Sequence, residues 1–438
     1  MNSLNSLNAF NAWLPFLLMF LLFALRTPIT WAMAISALLF FILNRQDVPL
    51  STFSQEMVEG TQSISLLAMP FFVLAGGIMN AAGITRRLLD VAEVLVGHMT
   101  GALAQMCIVL ATMLGGLTAS SNADAAILSK TVGIQMAERG YSRAFAAVIT
   151  SCSSIIAALI PPSIGLIIYG YLTETSVGRL FAAGVVPGLM LAAALMITTY
   201  FVSVRRGYAP QRTTRASASE VRKALMDGLW AISIPIVILM GTRYGIFTTT
   251  ESGAVIVVYT LFIGMVVYRA FSWKRLPAII QEAVLDTGAV MIMICAASAF
   301  GFYLAWEQVP QKLAAGLTGH WDPLMLLLTI NALLIIIGTA IEGSSALIIL
   351  TPVLLPVIQK AGIDPVHFGV VMVANLTIAG VTPPVGGMMY IASRVLKVPM
   401  RDYAIEVMPF LLAMCGLLVL LSAVPGFTLW LPNALFNT

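Results

Sequence analysis

Charge is scarce in this 438-residue sequence: Asp, Glu, Lys and Arg make up only 10% of it, and only three residues are His. Soluble domains carry about 25% charged residues. With 59% hydrophobic residues and a mean hydropathy of +0.96, the chain lacks the polar residues that a soluble protein of this size needs at its surface. The net charge of +4 gives no indication of nucleic acid binding.

Patterns of catalytic and metal-binding residues are equally sparse. The sequence contains neither HExxH nor GxSxG, and its four cysteines lie in apolar segments, where we interpret them as small buried residues. A membrane-embedded enzyme, with Asp124 and His98 as acid and base, is therefore an alternative with little support. We expect no enzyme activity and no organic cofactor.

What the chain does have is a series of long apolar runs, such as 14–25, 31–43 and 324–337. A bilayer crossing needs about 20 mostly apolar residues. The sequence has room for roughly ten or more crossings, which predicts an all-α polytopic membrane protein.

An internal repeat organises these runs. The pair Pro161-Pro162 recurs 222 positions later as Pro383-Pro384, and Pro187 recurs at the same shift as Pro409. A shift of 223 positions relates a glycine and a serine in each half, namely Gly115 to Gly338 and Ser121 to Ser344. We predict a first repeat at 1–204 and a second at 224–438. They are joined by a basic linker at 205–223, which the positive-inside rule places in the cytoplasm.

The orientation of the two repeats stays open at this stage. The segmentation puts about six crossings between equivalent points. An even number makes repeats parallel and an odd number makes them inverted, and segment boundaries read from sequence are imprecise.

Each repeat contains an amphipathic or polar region and two breaks. Amphipathic segments at 84–96 and 308–317 are expected to lie at the membrane interface as arms. We predict a first hairpin at about 115–138 and a second at about 338–361, each re-entrant, with arms of about a dozen residues and a tip near the membrane midplane. Helices broken at Pro-Pro follow at about 141–173 and 366–397.

Such breaks have a definite chemistry. Unwound carbonyls and Ser or Thr hydroxyls suit a hard cation such as Na⁺, and free amides at the start of a half-helix suit an anion. Taken singly, a Ser-Ser pair often only binds a neighbouring helix, Pro-Pro is often a plain kink, and an acid such as Asp124 or Glu342 often only caps a half-helix. Their repetition in both halves favours a binding role.

The motifs also resemble a known family. The runs Ser120-Ser-Asn-Ala-Asp-Ala-Ala126, Ile160-Pro-Pro-Ser163, Gly362-Ile-Asp-Pro365 and Thr382-Pro-Pro-Val-Gly386 are similar to the large membrane subunit of tripartite ATP-independent periplasmic (TRAP) transporters. The resemblance covers about residues 21–409. Two positions depart from it: Glu342-Gly343 stands where the family often has Asp followed by Pro or Ser, and Asn122 where many members have a small or aliphatic residue.

The resemblance implies an elevator-type secondary transporter in the bacterial inner membrane, with inverted repeats and a fold like that of the ion-transporter superfamily. It implies Na⁺ as coupling ion. It also implies two protein partners, a small four-helix membrane subunit and a periplasmic substrate-binding protein. The expected substrate is a small organic acid: a C4-dicarboxylate, sialic acid or another sugar acid.

Two sets of candidate site residues follow from the breaks and the resemblance together. The expected substrate ligands are Ser121, Asn122, Asp124, Ser163, Ser344, Ser345 and Thr382. The expected Na⁺ ligands are Ser120, Ser121, Ile160, Pro161, Gly343, Ser344, Asn375, Gly380 and Thr382. Two further alternatives remain open, a stand-alone Na⁺/carboxylate symporter of similar architecture and a channel.

Overall fold

The computed structural model describes residues 2–25, 27–270, 272–312 and 322–436, and the secondary structure in these ranges is helical. Eight of the described helices are long and apolar enough to cross a membrane. Many Leu, Ile, Val and Phe side chains on the outer surface are exposed, as expected of a surface that contacts lipid.

Five helices precede the first hairpin. The first two are apolar and the fifth is amphipathic. In order these are α1 (Asn2–Ala24), α2 (Ile29–Leu43), α3 (Leu50–Glu59), α4 (Ala68–Ala81) and α5 (Ile84–Val96). The bounds of α5 agree with the predicted arm. It buries Ile84 and Leu88 and exposes Arg86 and Asp90. The second predicted amphipathic segment, at 308–317, lies partly outside the described residues.

The first hairpin consists of α6 (Ala102–Thr118), a two-residue turn, and a second arm made of α7 (Ser121–Leu128), a π-helical turn at Ser129–Gly133 and α8 (Ile134–Glu138). The prediction that it starts at residue 115 was wrong. Gly115 lies inside α6 because it is a packing residue: a Cβ there would sit 2.9 Å from the Cα of Ala157. The first arm therefore has 17 residues.

The first broken helix, predicted at about 141–173, consists of two helical segments. Helix α9 (Arg143–Ser154) continues into a 3-10 turn, unwinds through Pro161-Pro162 and resumes as α10 (Ile164–Leu172). The first half ends with the long α11 (Val177–Arg206). The linker then crosses the arm: the Gly97 carbonyl accepts hydrogen bonds from the amides of Gln211 and Arg212.

The second half repeats this order. Its helices are α12 (Ala218–Arg243), α13 (Thr249–Phe262), α14 (Leu276–Trp306), α15 (Pro323–Ala340), α16 (Gly343–Lys360), α17 (Pro365–Ala379), α18 (Gly387–Leu396), α19 (Met400–Ala423) and α20 (Gly426–Phe436). The second hairpin, α15 and α16, starts at 323 rather than 338. Gly338 is a packing residue like Gly115, since a Cβ on it would lie 2.6 Å from the Cβ of Ala379.

The two halves align at a shift of 222 rather than 223 positions. The second arm of the first hairpin runs from Ser121 to Glu138, and α16 runs from Gly343 to Lys360, so both ends differ by 222. Ser120 is thus equivalent to Glu342. The expected equivalence of Ser121 and Ser344 was wrong by one residue.

Packing between the halves is reciprocal. Helix α7 of the first hairpin contacts α18 of the second broken helix, and α16 of the second hairpin contacts α10 of the first. Helices α9 and α18 also pack together, as do α17 and α10. The two hairpin tips and the two broken helices therefore meet in one central region, with α4 and α14 packed together beside it.

Candidate functional site

The first hairpin tip is a tight turn capped by a neutral side chain. Ala119 adopts a left-handed conformation with φ of +54°, and Ser120 is the N-cap of α7. The Ser120 Oγ accepts a hydrogen bond from the Ala123 amide at 3.4 Å. The first amides of α7 have no intrahelical partner, which leaves a partial positive charge at this tip.

The second tip is also a two-residue turn, but its first residue, Ile341, is extended with φ of −115°, and its cap is charged. Glu342 is the N-cap of α16, and its Oε2 accepts a hydrogen bond from the Ser345 amide at 3.0 Å. Its Oε1 accepts a hydrogen bond from the Ser344 hydroxyl at 3.1 Å. A carboxylate of the chain itself therefore occupies the positive end of this helix.

A cavity of about 970 Å³ lies between the tips. The tips and the broken helices contribute ten lining residues that either have polar side chains or are predicted ligands: Thr118, Ser120, Ser121, Asn122, Ser163, Glu342, Gly343, Ser344, Thr377 and Gly380. All but Thr118, Glu342 and Thr377 were predicted ligands. Concave sites of this volume, with few polar groups among apolar ones, are typical of small-molecule binding sites.

The structure places the other predicted ligands behind this surface. None of the following lines the cavity: Asp124, Ile160, Pro161, Ser345, Asn375 and Thr382. Two of them already have partners. The Ser345 hydroxyl donates toward Met293 Sδ at 3.1 Å, and the Thr382 hydroxyl donates to the Ile378 carbonyl at 2.9 Å.

Asp124 is the most unusual of these residues. It lies in the first turn of α7 and is fully buried, and neither carboxylate oxygen has a hydrogen-bond partner among the described residues. An ionised carboxylate in this position is costly unless a cation or a proton accompanies it. Because Asp124 is buried and does not line the cavity, it is not placed to contact a substrate directly.

Buried oxygens without partners also occur on both broken helices. Asn375 uses its amide nitrogen for Asn331, donating to the side-chain and backbone oxygens at 3.0 Å each, while its own Oδ1 has no partner. The equivalent position in α9 is Ser153, whose Oγ is likewise buried and without a partner among the described residues. These oxygens are available to a cation.

Sequence reasoning missed three polar residues that line the cavity from its side wall. Asn80 belongs to α4, and Glu282 and Asp286 belong to α14. The available signal was two acids four residues apart in an otherwise apolar helix, since such acids usually mark a functional path.

Comparison with solved structures first defines the class of protein. The fold resembles that of the YdaH transporter of Alcanivorax borkumensis with a TM-score of 0.64, at 16% sequence identity and covering 87% of this chain and 88% of that one. At this identity the likeness concerns the fold alone. It shows that the chain shares the helical fold of that protein.

Sequence comparison then gives the family. Residues 16–427 match the family described as "Tripartite ATP-independent periplasmic transporter, DctM component". The chain is 41% identical to the sialic acid TRAP transporter large permease protein SiaM of Vibrio cholerae, over 93% of this chain and 95% of SiaM. It is 35% identical to the 2,3-diketo-L-gulonate permease YiaN of Escherichia coli (92% and 94% covered) and 36% identical to the C4-dicarboxylate permease DctM of Pseudomonas aeruginosa (92% and 94% covered).

The chain therefore belongs to the family of TRAP transporter large permease proteins. It is a multi-pass protein of the inner membrane and a transport protein rather than an enzyme. The resemblance stated from the motifs is confirmed.

Proposed function

We propose that this permease couples Na⁺ entry to the uptake of a small organic acid, which binds in the cavity between the hairpin tips. The observation that carries the proposal is that one cavity is lined by both tips and by both broken helices. Relatives are named for sialic acid, 2,3-diketo-L-gulonate and C4-dicarboxylates, which are all organic acids.

Na⁺ suits the oxygens that lie at the tips and in the buried region behind them. At the first tip the candidate ligands are Ser120, Ser121 and the unwound backbone at Ile160-Pro161, with Asp124 behind them in place of its expected role in substrate binding. At the second tip they are Gly343, Ser344, Asn375, Gly380 and Thr382. A cation held there would order the tip and favour substrate binding without touching the substrate.

The fold supports inverted repeats. Helix α6 is the first arm of the first hairpin and therefore does not count as a separate crossing before it. If each hairpin enters and leaves on one side, the crossing elements of the first half are α1, α2, α4, the broken helix and α11. This odd number inverts the second half. Two inverted halves with reciprocal contacts suit an elevator mechanism, in which the hairpins and broken helices move together.

Two partners complete the proposed transporter: a small four-helix membrane subunit and a periplasmic protein that delivers the substrate. The proposal of both partners rests on membership of the family and not on a contact within this chain.

The test is uptake into proteoliposomes that contain the permease with its small subunit, with the binding protein and labelled substrate outside. We expect saturable uptake that requires all three proteins and an inward Na⁺ gradient, and no uptake when K⁺ replaces Na⁺. Uptake by the permease alone would favour a stand-alone symporter, and ion flux without saturation would favour a channel.

A further inference from the structure

The charge distribution around the cavity restricts the substrate more narrowly than the family does. Accepting the proposed function, we infer that the substrate is a monocarboxylate whose far end carries hydroxyl or amino donors, as in a sugar acid. A dicarboxylate is disfavoured by the groups that line the cavity.

All the carboxylates that line the cavity come from the second half of the chain. They are Glu342 at the second tip and Glu282 and Asp286 on α14. Among the described residues that line the cavity, none is Lys, Arg or His. A substrate with two carboxylates would bring a second negative charge towards these three acids. The Na⁺ proposed at the second tip offsets at most one of them, and like charges repel more strongly where water is partly excluded.

The second tip is also closed to an anion by its own cap. Glu342 already accepts hydrogen bonds from the Ser345 amide and the Ser344 hydroxyl, at 3.0 and 3.1 Å. The carboxylate of Glu342 therefore already offsets the positive end of α16. A substrate group beside Glu342 meets carboxylate oxygens that accept hydrogen bonds, so it must be a donor.

The first tip is neutral and offers donors. The start of α7 contributes Ser121 and Asn122, while Asn80 of α4 contributes a further amide from the side wall that also holds Glu282 and Asp286. Asn122 and Asn80 are exposed to the cavity, and within the described residues their side-chain amides have no hydrogen-bond partner. Asp124 lies behind this surface, where the proposed Na⁺ offsets its charge. A single substrate carboxylate is best placed here, with its donor groups directed towards Glu342.

The size of the cavity agrees with this assignment. Its volume of about 970 Å³ is near the upper end of the range of roughly 300–1,000 Å³ for small-molecule sites. A polyhydroxylated acid of six or more carbons makes contact with both tips at once more readily than a four-carbon diacid does.

The test is binding of sialic acid, gluconate and succinate to the purified permease with its small subunit, in nanodiscs and with Na⁺, by calorimetry. We expect at least one of the two hydroxylated acids to bind and succinate to bind at least about tenfold more weakly, which is 1.4 kcal/mol. Glu342→Gln keeps an oxygen that can cap α16 and removes the charge. It should strengthen succinate binding by about tenfold and leave the hydroxylated acid within about threefold.

Glu138→Gln is the matched control, because Glu138 is an exposed acid at the far end of the first hairpin and does not line the cavity. It should leave all three affinities unchanged. Succinate binding to the native protein as tightly as the hydroxylated acids would overturn the inference and leave the proposed function intact. No binding of any acid in the presence of Na⁺ would overturn both.

Discussion

Both hairpin tips are two-residue turns closed by an N-cap side chain, and they differ in where each keeps its carboxylate. At the first tip the cap is the neutral Ser120, and Asp124 lies buried in the next turn without a partner. At the second tip the cap itself is Glu342, whose oxygens have partners, and the position equivalent to Asp124 is Ala346. Each tip thus carries one acid, hidden in the first half and facing the cavity in the second.

This difference separates two tasks that a symmetric pair of tips would share. A buried acid without a partner is an incomplete site, which a cation completes. An acid that caps a helix at the cavity surface already has hydrogen-bond partners. Its role is then to favour some substrates over others. The repeated backbone provides two similar frames, and the side chains give them different ligands.

The largest effect is expected at the hidden acid. Asp124→Asn should weaken Na⁺ binding by about 10–100-fold, because a hydrogen-bonding or ligand contact to a charged group contributes about 1.5–3 kcal/mol. The melting temperature without Na⁺ should stay the same or rise, since a buried charge without a partner has been removed. Na⁺ titration of the purified protein, followed by tryptophan fluorescence, measures the first effect, and a melting curve measures the second.

Glu138→Gln serves as the control, as it removes an exposed acid from the same hairpin. If Asp124→Asn binds Na⁺ as tightly as the native protein, the buried acid has no part in the cation site and the two tips differ in charge only at the cavity surface.

The second prediction concerns the packing behind the tips, where the equivalent glycines Gly116 and Gly338 face different partners. A Cβ on Gly116 would lie 2.3 Å from Pro235 Cγ in α12, and a Cβ on Gly338 would lie 2.6 Å from the Cβ of Ala379 in α17. Gly116→Ala and Gly338→Ala should each destabilise the protein by about 1–3 kcal/mol through overpacking. Thermal unfolding in detergent measures this.

A second-site change distinguishes the two contacts. Pro235→Ala should restore the stability of Gly116→Ala and leave that of Gly338→Ala low. Gly288→Ala in α14 is the control: a Cβ there meets no heavy atom within 4 Å, so the variant should be as stable as the native protein or slightly more so. Equal rescue of both variants would show that Pro235 acts generally and not through Gly116.

Much of this fold was predictable because its breaks repeat. Pro-Pro pairs at a constant shift located both broken helices, and the polar runs after Gly115 and Gly338 located both tips. The hairpin starts were wrong, because a glycine inside a helix and a glycine that ends one look alike in a sequence. Only the neighbours Ala157 and Ala379, which are distant in the chain, show that these glycines are needed for close packing.

The candidate site was predictable only where it is local. Seven tip or break residues line the cavity as expected, whereas Asn80, Glu282 and Asp286 reach it from helices that precede each hairpin. Their contribution depends on how α4 and α14 pack beside the tips. Asp124 is the reverse case. It is close to the tip in sequence, but it is buried and does not line the cavity.

The smallest effect is expected from the caps. Ser120→Ala removes a hydrogen bond of 3.4 Å from the Ala123 amide and should cost about 0.5 kcal/mol, at the low end for N-cap changes. Glu342→Ala removes a bond of 3.0 Å to the Ser345 amide and should cost about twice as much, because bonds to charged acceptors are stronger. Melting curves in detergent without Na⁺ and substrate compare the two variants. Equal losses would mean that Glu342 contributes no more to its helix than Ser120 does, and the charged cap would then matter only for the ligand.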